Sequence, residues 1–258
     1  MRKVLGWIFT PFFAFWFFTI LCVFHVLQVI AFNIFGYQAH KKVVDIMGNS
    51  LTWCMRIFMG TRVELSQIPD NIPMDKPWIV VANHQSLFDV NVLVSMLAAK
   101  HPKFVAKMEL AKGIPGVSYN LRYGGSVVID RKNAVQALSK MEEFGKYIQN
   151  NKYCACIFPE GTRAADGQMK QFKVRGLATL FKEVPDAVII PVALDGLWKM
   201  VEFNYKPVPF GITVKAQILP PIDKTGKTHE QLVEECEYSI RKYLNQLDGY
   251  LPTEEKKN

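Results

Sequence analysis

Trp78-Ile79-Val80-Val81-Ala82-Asn83-His84-Gln85-Ser86-Leu87-Phe88-Asp89 decides how the rest of this chain is read. Its first five residues are apolar without alternation, the pattern of a strand buried on both faces. Asn83-His84-Gln85 then breaks the run as a turn, and Leu87–Ala99 carries helical spacing. His84 stands five residues before Asp89. On a regular helix that offset turns roughly 500°, leaving the two side chains roughly 140° apart. They meet only if His84 lies on the loop entering the helix and folds back. A neutral imidazole beside a carboxylate is held in one tautomer, with its other nitrogen free to take a proton. A plainer account reads Ser86-x-x-Asp89 as a helix capping box, with His84 an ordinary turn residue. On this segment alone the plainer account is favoured. A Ser–His–Asp triad through Ser86 fits worse, because Ser86 is two residues from His84 and no GxSxG elbow occurs.

Outward from that stretch the same alternation recurs. Phe104–Ala106, Ser126–Ile129, Tyr153–Phe158 and Val188–Leu194 read as further buried strands, and Ile212–Leu219 as a late one. Ile114–Arg122, Lys132–Gln149 and Arg175–Lys182 read as helices, and Thr228-His229-Glu230-Gln231 as a capping box opening a last helix to about Leu247. This order predicts an α/β domain with a mostly parallel central sheet flanked by helices. In such sheets ligands gather at the carboxyl ends of strands. Phe158-Pro159-Glu160-Gly161-Thr162-Arg163 begins at one of those ends. Gly161 lets backbone approach a ligand, Thr162 can donate a hydroxyl hydrogen bond, and Arg163 can fork onto phosphate oxygens. Glu160 is odd in an anion site unless it contacts a hydroxyl or orients the arginine. Lys107 and Arg131 follow two more strands, and Phe172-Lys173-Val174-Arg175-Gly176 adds two cations. Each alone is a solvated base; as a set, His84, Lys107, Arg131 and Glu160/Arg163 should converge.

The N-terminal sixty residues have another character. Val4–Phe35 contains no Asp, Glu, Lys or Arg over 32 residues, longer than the roughly 20 needed to cross a bilayer core. Thr10-Pro11 resembles an N-cap and first helical position, and Gly36 a C-terminal stop. No small-residue cleavage site ends the run, which favours an uncleaved anchor over a signal peptide. Lys41–Met59 forms a second, amphipathic helix suited to the soluble domain or the lipid interface. The expected organisation is a membrane-seated helical pair over 1–60, an α/β domain over 61–250 and a frayed tail over 251–258. The formal charge of +8 favours an anionic partner. Five scattered cysteines without CxxC spacing argue against a disulfide framework and a zinc site, and for a reducing compartment.

NHQSLFD, GGSVVIDR, FPEGTR and VIIPVAL, taken in order over about Val63–Leu219, resemble the four blocks of the 1-acylglycerol-3-phosphate acyltransferase family, the lysophosphatidate acyltransferases. The resemblance implies His84 as general base and Asp89 as its orienting partner. It places Arg131, Glu160, Gly161, Thr162 and Arg163 around the acceptor's glycerol phosphate, with Lys107 nearby; the role of Pro191 in the last block is less defined. It implies an O-acyltransferase that moves a fatty acyl group from acyl-CoA or acyl-carrier protein to the sn-2 hydroxyl of lysophosphatidate, forming phosphatidate. No metal and no cofactor beyond the acyl donor are expected. The expected partners are the phospholipid surface, lysophosphatidate and the acyl donor, with no nucleic acid. The domain should face the cytoplasm, at a bacterial inner membrane. The alternatives are an acyltransferase for another lysolipid, either a lysophospholipid or an amino-acid lipid, and a non-catalytic basic membrane-binding module.

Overall fold

The structure, a computed structural model, describes residues 1–250; the expected frayed tail lies outside the described residues. Seven strands form one sheet: β1 (Arg62–Leu65), β2 (Trp78–Ala82), β3 (Pro102–Lys107), β4 (Val127–Ile129), β5 (Cys154–Ile157), β6 (Val188–Asp195) and β7 (Thr213–Ile218). Their order across the sheet is β1-β7-β6-β2-β5-β3-β4, with every pairing parallel except β6 with β7. The expected strands are therefore present and mostly parallel. β1 escaped the sequence reading because it is a four-residue edge strand whose residues are mostly part-exposed, so it lacks a buried run.

β2 is the centre, fully buried along its length, and its alternate residues face two cores, as the two-residue period of a strand requires. Trp78, Val80 and Ala82 pack with helix α3 (Asp89–Leu97) and with α2 (Tyr37–Met59) through Cys54, Met55 and Met59. Ile79 and Val81 pack on the other side with α5 (Ala134–Asn151), α6 (Val174–Glu183) and α7 (His229–Tyr243). α7 opens on the expected capping box, with Thr228 and Gln231 bonded reciprocally, but ends at Tyr243 rather than Leu247. α4 (Val117–Tyr123) starts three residues later than its pattern suggested, after Pro115 and Gly116.

The N-terminal helix corrects one local expectation. α1 runs unbroken from Arg2 to Phe35, with Pro11 inside it rather than at its start. Thr10 is not a cap: its hydroxyl accepts the Val208 N–H at 2.9 Å. The Phe210 N–H donates to Arg2 O, and Phe9 meets the Phe210 ring. Gly6 lies so close to Val208 that an added Cβ would sit 2.5 Å from its carbonyl oxygen. Docking on the 207–210 loop thus holds two turns helical where sequence rules alone end them. Gly36 (φ 78°) does turn the chain between α1 and α2. α2 begins at Tyr37, four residues before its expected start. α1 is long and apolar enough to cross a membrane, and Trp7, Phe12, Phe15 and Phe18 stand exposed along it. Phe13, by contrast, is buried in the main core beside Phe88.

Candidate active site

The loop after β2 is fastened on both sides of His84. Asn83 bonds to the backbone of β6 twice, donating to Leu194 O (2.9 Å) and accepting from Leu194 N–H (2.7 Å). Gln85 Oε1 accepts from the N–H groups of Leu197 (3.0 Å) and Trp198 (3.3 Å). Both amides are buried, so each secures the loop and leaves His84 as the projecting side chain. The imidazole stacks on Phe158, with centroids 4.2 Å apart.

Asp89 settles the two readings of its segment by doing both jobs. It is the first residue of α3 and fully buried. Oδ2 lies 2.7 Å from His84 Nδ1 and accepts the Gln85 N–H at 2.6 Å and the Ser86 N–H at 3.0 Å. Oδ1 takes the Ser86 hydroxyl at 3.1 Å. One carboxylate thus closes the turn and holds the imidazole. A carboxylate only accepts, so Nδ1 carries the proton and Nε2 is left with a free lone pair. Ser86 is fully engaged, since its Oγ donates to Asp89 and accepts from the Phe88 N–H; it is not a nucleophile.

The FPEGTR loop meets this turn directly. Glu160 Oε1 accepts the backbone N–H of His84 at 2.7 Å, and the His84 carbonyl accepts the N–H of Ala164 at 2.7 Å. Glu160 Oε2 accepts the N–H of Lys170 at 2.9 Å. Both of its oxygens are committed to main chain and the residue is buried. It therefore clamps the two motifs together through their main chain. Burial pushes its carboxyl up to about 7, against the opposing pull of those two N–H groups.

Cations gather around Gly161. The Arg131 guanidinium donates to the Gly161 carbonyl oxygen, and Arg131 is near enough to Arg163 for their charges to repel. Gly161 has φ +72°, and a Cβ there would lie 3.0 Å from the Lys173 ammonium; glycine serves both the backbone and the cation. Lys170 Nζ bonds Thr162 Oγ1 (3.0 Å) and Arg163 O (2.9 Å). Lys107 ends β3 and pairs with Glu109 at 2.8 Å in solvent, and the Glu109 charge also reaches Arg131. Arg131, Gly161, Thr162 and Arg163 are brought together, with Lys107 joined to them through Glu109. Lys170 was missed in sequence and Lys173 read only as a solvated base. Both lie within ten residues after Arg163, on a segment without a regular period. Pro191 sits within β6 opposite Val81, and its carbonyl accepts the Leu219 N–H.

Residues 63–195 match the family model described as Acyltransferase. The chain is 28% identical to 1-acyl-sn-glycerol-3-phosphate acyltransferase alpha of Mus musculus, over 67% of this chain and 59% of that one. It is 34% identical to the 1-acyl-sn-glycerol-3-phosphate acyltransferase of Limnanthes alba, over 60% of this chain and 53% of that one. The chain thus spans a little over half the length of these curated relatives. Among solved structures it resembles the crystal structure of the 1-acyl-sn-glycerophosphate (LPA) acyltransferase PlsC from Thermotoga maritima, with a TM-score of 0.76 and 27% identity. That match covers 97% of this chain and 99% of that one.

Proposed function

Because this chain belongs to the acyltransferase family, we propose that it moves a fatty acyl group from acyl-CoA or acyl-carrier protein to the sn-2 hydroxyl of lysophosphatidate. The single observation that carries this reading is the junction of the two motifs. Glu160 and Ala164 bond the main chain of His84, so base and basic rim form one rigid unit. In this reading Arg131, Arg163, Lys170 and Lys173 hold the acceptor's phosphate, and the adjoining His84 turn meets its glycerol hydroxyl.

The chemistry needs little more. His84 Nε2 accepts the proton as the hydroxyl oxygen attacks the thioester carbonyl, and the carbonyl's π electrons move onto its oxygen. When that adduct collapses the C–S bond breaks, and the departing thiolate takes the proton back from His84. Alcohol and thioester become ester and thiol, with no acyl-enzyme. General base catalysis of this kind contributes about 10²–10⁴-fold, and phosphate-anchored orientation adds to it by holding the hydroxyl in place. α1, with its exposed aromatic face, seats the enzyme where its lipid acceptor lies. Soluble thioester donors suit a domain facing the cytoplasm, as at a bacterial inner membrane.

The test is mass spectrometry of the purified full chain given mixed acyl thioesters and mixed lysolipids. Phosphatidate from lysophosphatidate is expected. Turnover of lysophosphatidylcholine instead would move the acceptor assignment to another lysolipid. No acyl transfer by a protein that still binds anionic vesicles would leave a non-catalytic basic module.

A further inference from the structure

We propose that a partly enclosed cavity at the opposite end of the sheet, between α2, α4 and the start of β3, binds one small monovalent anion of chloride size. It is lined by His40, Lys41, Asp45, His101, Lys103 and Asn120, with apolar neighbours completing the wall. Lys103 and Lys107 are four residues apart on β3, so the cavity lies about 13 Å from the rim of the acyl-transfer site. It is independent of that reading.

Two observations point to a missing occupant. His40 is 1% exposed, and neither ring nitrogen has a hydrogen-bond partner. Buried polar atoms of native proteins are nearly always paired with protein or with an enclosed species. Lys103 is 5% exposed. Among the described residues its ammonium makes no hydrogen bond or ion pair; the rings of Tyr37 at 5.0 Å and Tyr153 at 5.4 Å face it, and the Asp45 charge reaches it without direct contact.

The charges at the cavity do not balance. Lys41 is spoken for, because it pairs with Asp45 and also donates to Ala98 O. Burial pushes His40 and His101 down to about 4, so both are neutral at pH 7. Lys103 is drawn down to about 8 by its burial, against the pull of Asp45; with Asp45 already paired to Lys41, two ammoniums share one carboxylate and one positive charge is in excess. Two distant aromatic faces offset only part of the cost of burying an ammonium. A water would satisfy His40 and leave that charge bare. An anion answers both, accepting from Lys103 and from the N–H of neutral His40. The cavity of about 20 Å³ suits one small ion better than sulfate, phosphate or a lipid headgroup. The occupant would tie α2, the helix beneath α1, to β3 and α4.

Bromide serves as the probe. Crystals of the full chain grown in bromide should give an anomalous peak within hydrogen-bonding distance of Lys103 Nζ; the absence of that peak overturns the proposal. In detergent solution at constant ionic strength, the thermal midpoint should rise with bromide or chloride but not with gluconate. The rise expected is about 3–6 °C at ten times the half-saturating concentration. Lys103→Met should abolish the halide dependence, and a dependence that survives in it places the ion elsewhere and overturns the proposal. Should that variant fail to fold, the wild-type diffraction experiment decides alone.

Discussion

The His84–Asp89 pair and the cations around Gly161 lie on two motifs joined through Glu160, but they are constructed in opposite ways. Asp89 is fully buried and His84 only 16% exposed, each fixed by bonds to neighbours that are themselves buried. Lys107 is 48% exposed, and Thr162, Arg163, Lys170 and Lys173 all stand at the surface. The difference teaches which part is preorganised. On the proposed reading, proton transfer demands a fixed geometry, which the turn supplies before substrate arrives. Holding a phosphate demands positive charge and spare donors, which several surface cations can share.

That contrast breaks first at the dyad. His84→Ala should lower kcat by about 10²–10⁴-fold and cost less stability than Asp89→Ala, because its bonds to Glu160 and Ala164 use main-chain atoms and only the Asp89 bond and the Phe158 stack are lost. Asp89→Ala should lose as much activity and also stability, because it strands the N–H groups of Gln85 and Ser86 at about 1–3 kcal/mol each. Paired kinetics and thermal melts read both effects. Equal destabilisation by the two variants would show that the imidazole, too, is structural.

On the rim the effect should be smaller and of another kind. Arg131→Ala, Arg163→Ala or Lys173→Ala each removes a charge-assisted contact of about 1.5–3 kcal/mol, which raises KM for lysophosphatidate about tenfold to a hundredfold and leaves kcat little changed. With monoacylglycerol, which lacks the phosphate, the same variants should match wild type. A fall in kcat with unchanged KM would instead place these cations at the reacting carbonyl.

The same division explains what the sequence could tell. Buried strands were legible because Trp78–Ala82 and Val188–Leu194 are unbroken apolar runs, whereas β1 offers no such run. His84 and Asp89 were legible as residues but not as a pair, since helical geometry alone sets them apart and only the folded-back turn joins them. Glu160 stood out in the sequence as a carboxylate beside arginines, and only coordinates reveal its two backbone donors. Lys170 lies on an irregular segment where no period marks it. At Pro11 a sound local rule lost to long-range docking near Val208.

Glu160 sharpens the comparison through pH. Burial raises its carboxyl from an ordinary 4.5 to about 7, so between those values the folded protein holds a proton that the unfolded chain has released. Its contribution to stability is therefore most favourable below pH 4.5, weakens as pH rises and levels off above about 7. The midpoint of wild type relative to Glu160→Gln should accordingly fall across pH 4.5–7 and then flatten. A constant difference would mean that Glu160 stays ionised throughout, with its two N–H donors outweighing burial.

The smallest effect expected lies farthest from the chemistry and asks whether the helical pair belongs to the domain. Thr10→Ala removes the acceptor of the Val208 N–H while preserving helix propensity in α1. The loss should be about 1 kcal/mol, or about 2–4 °C in the thermal midpoint for a chain of this size, with kcat on detergent-dispersed substrate unaltered. Phe13 packs in the main core, so α1 should melt together with the sheet and the shift should appear in the single unfolding transition. A separate early transition in Thr10→Ala, with the main one unmoved, would make α1 an appendage resting on the fold instead of a part of it.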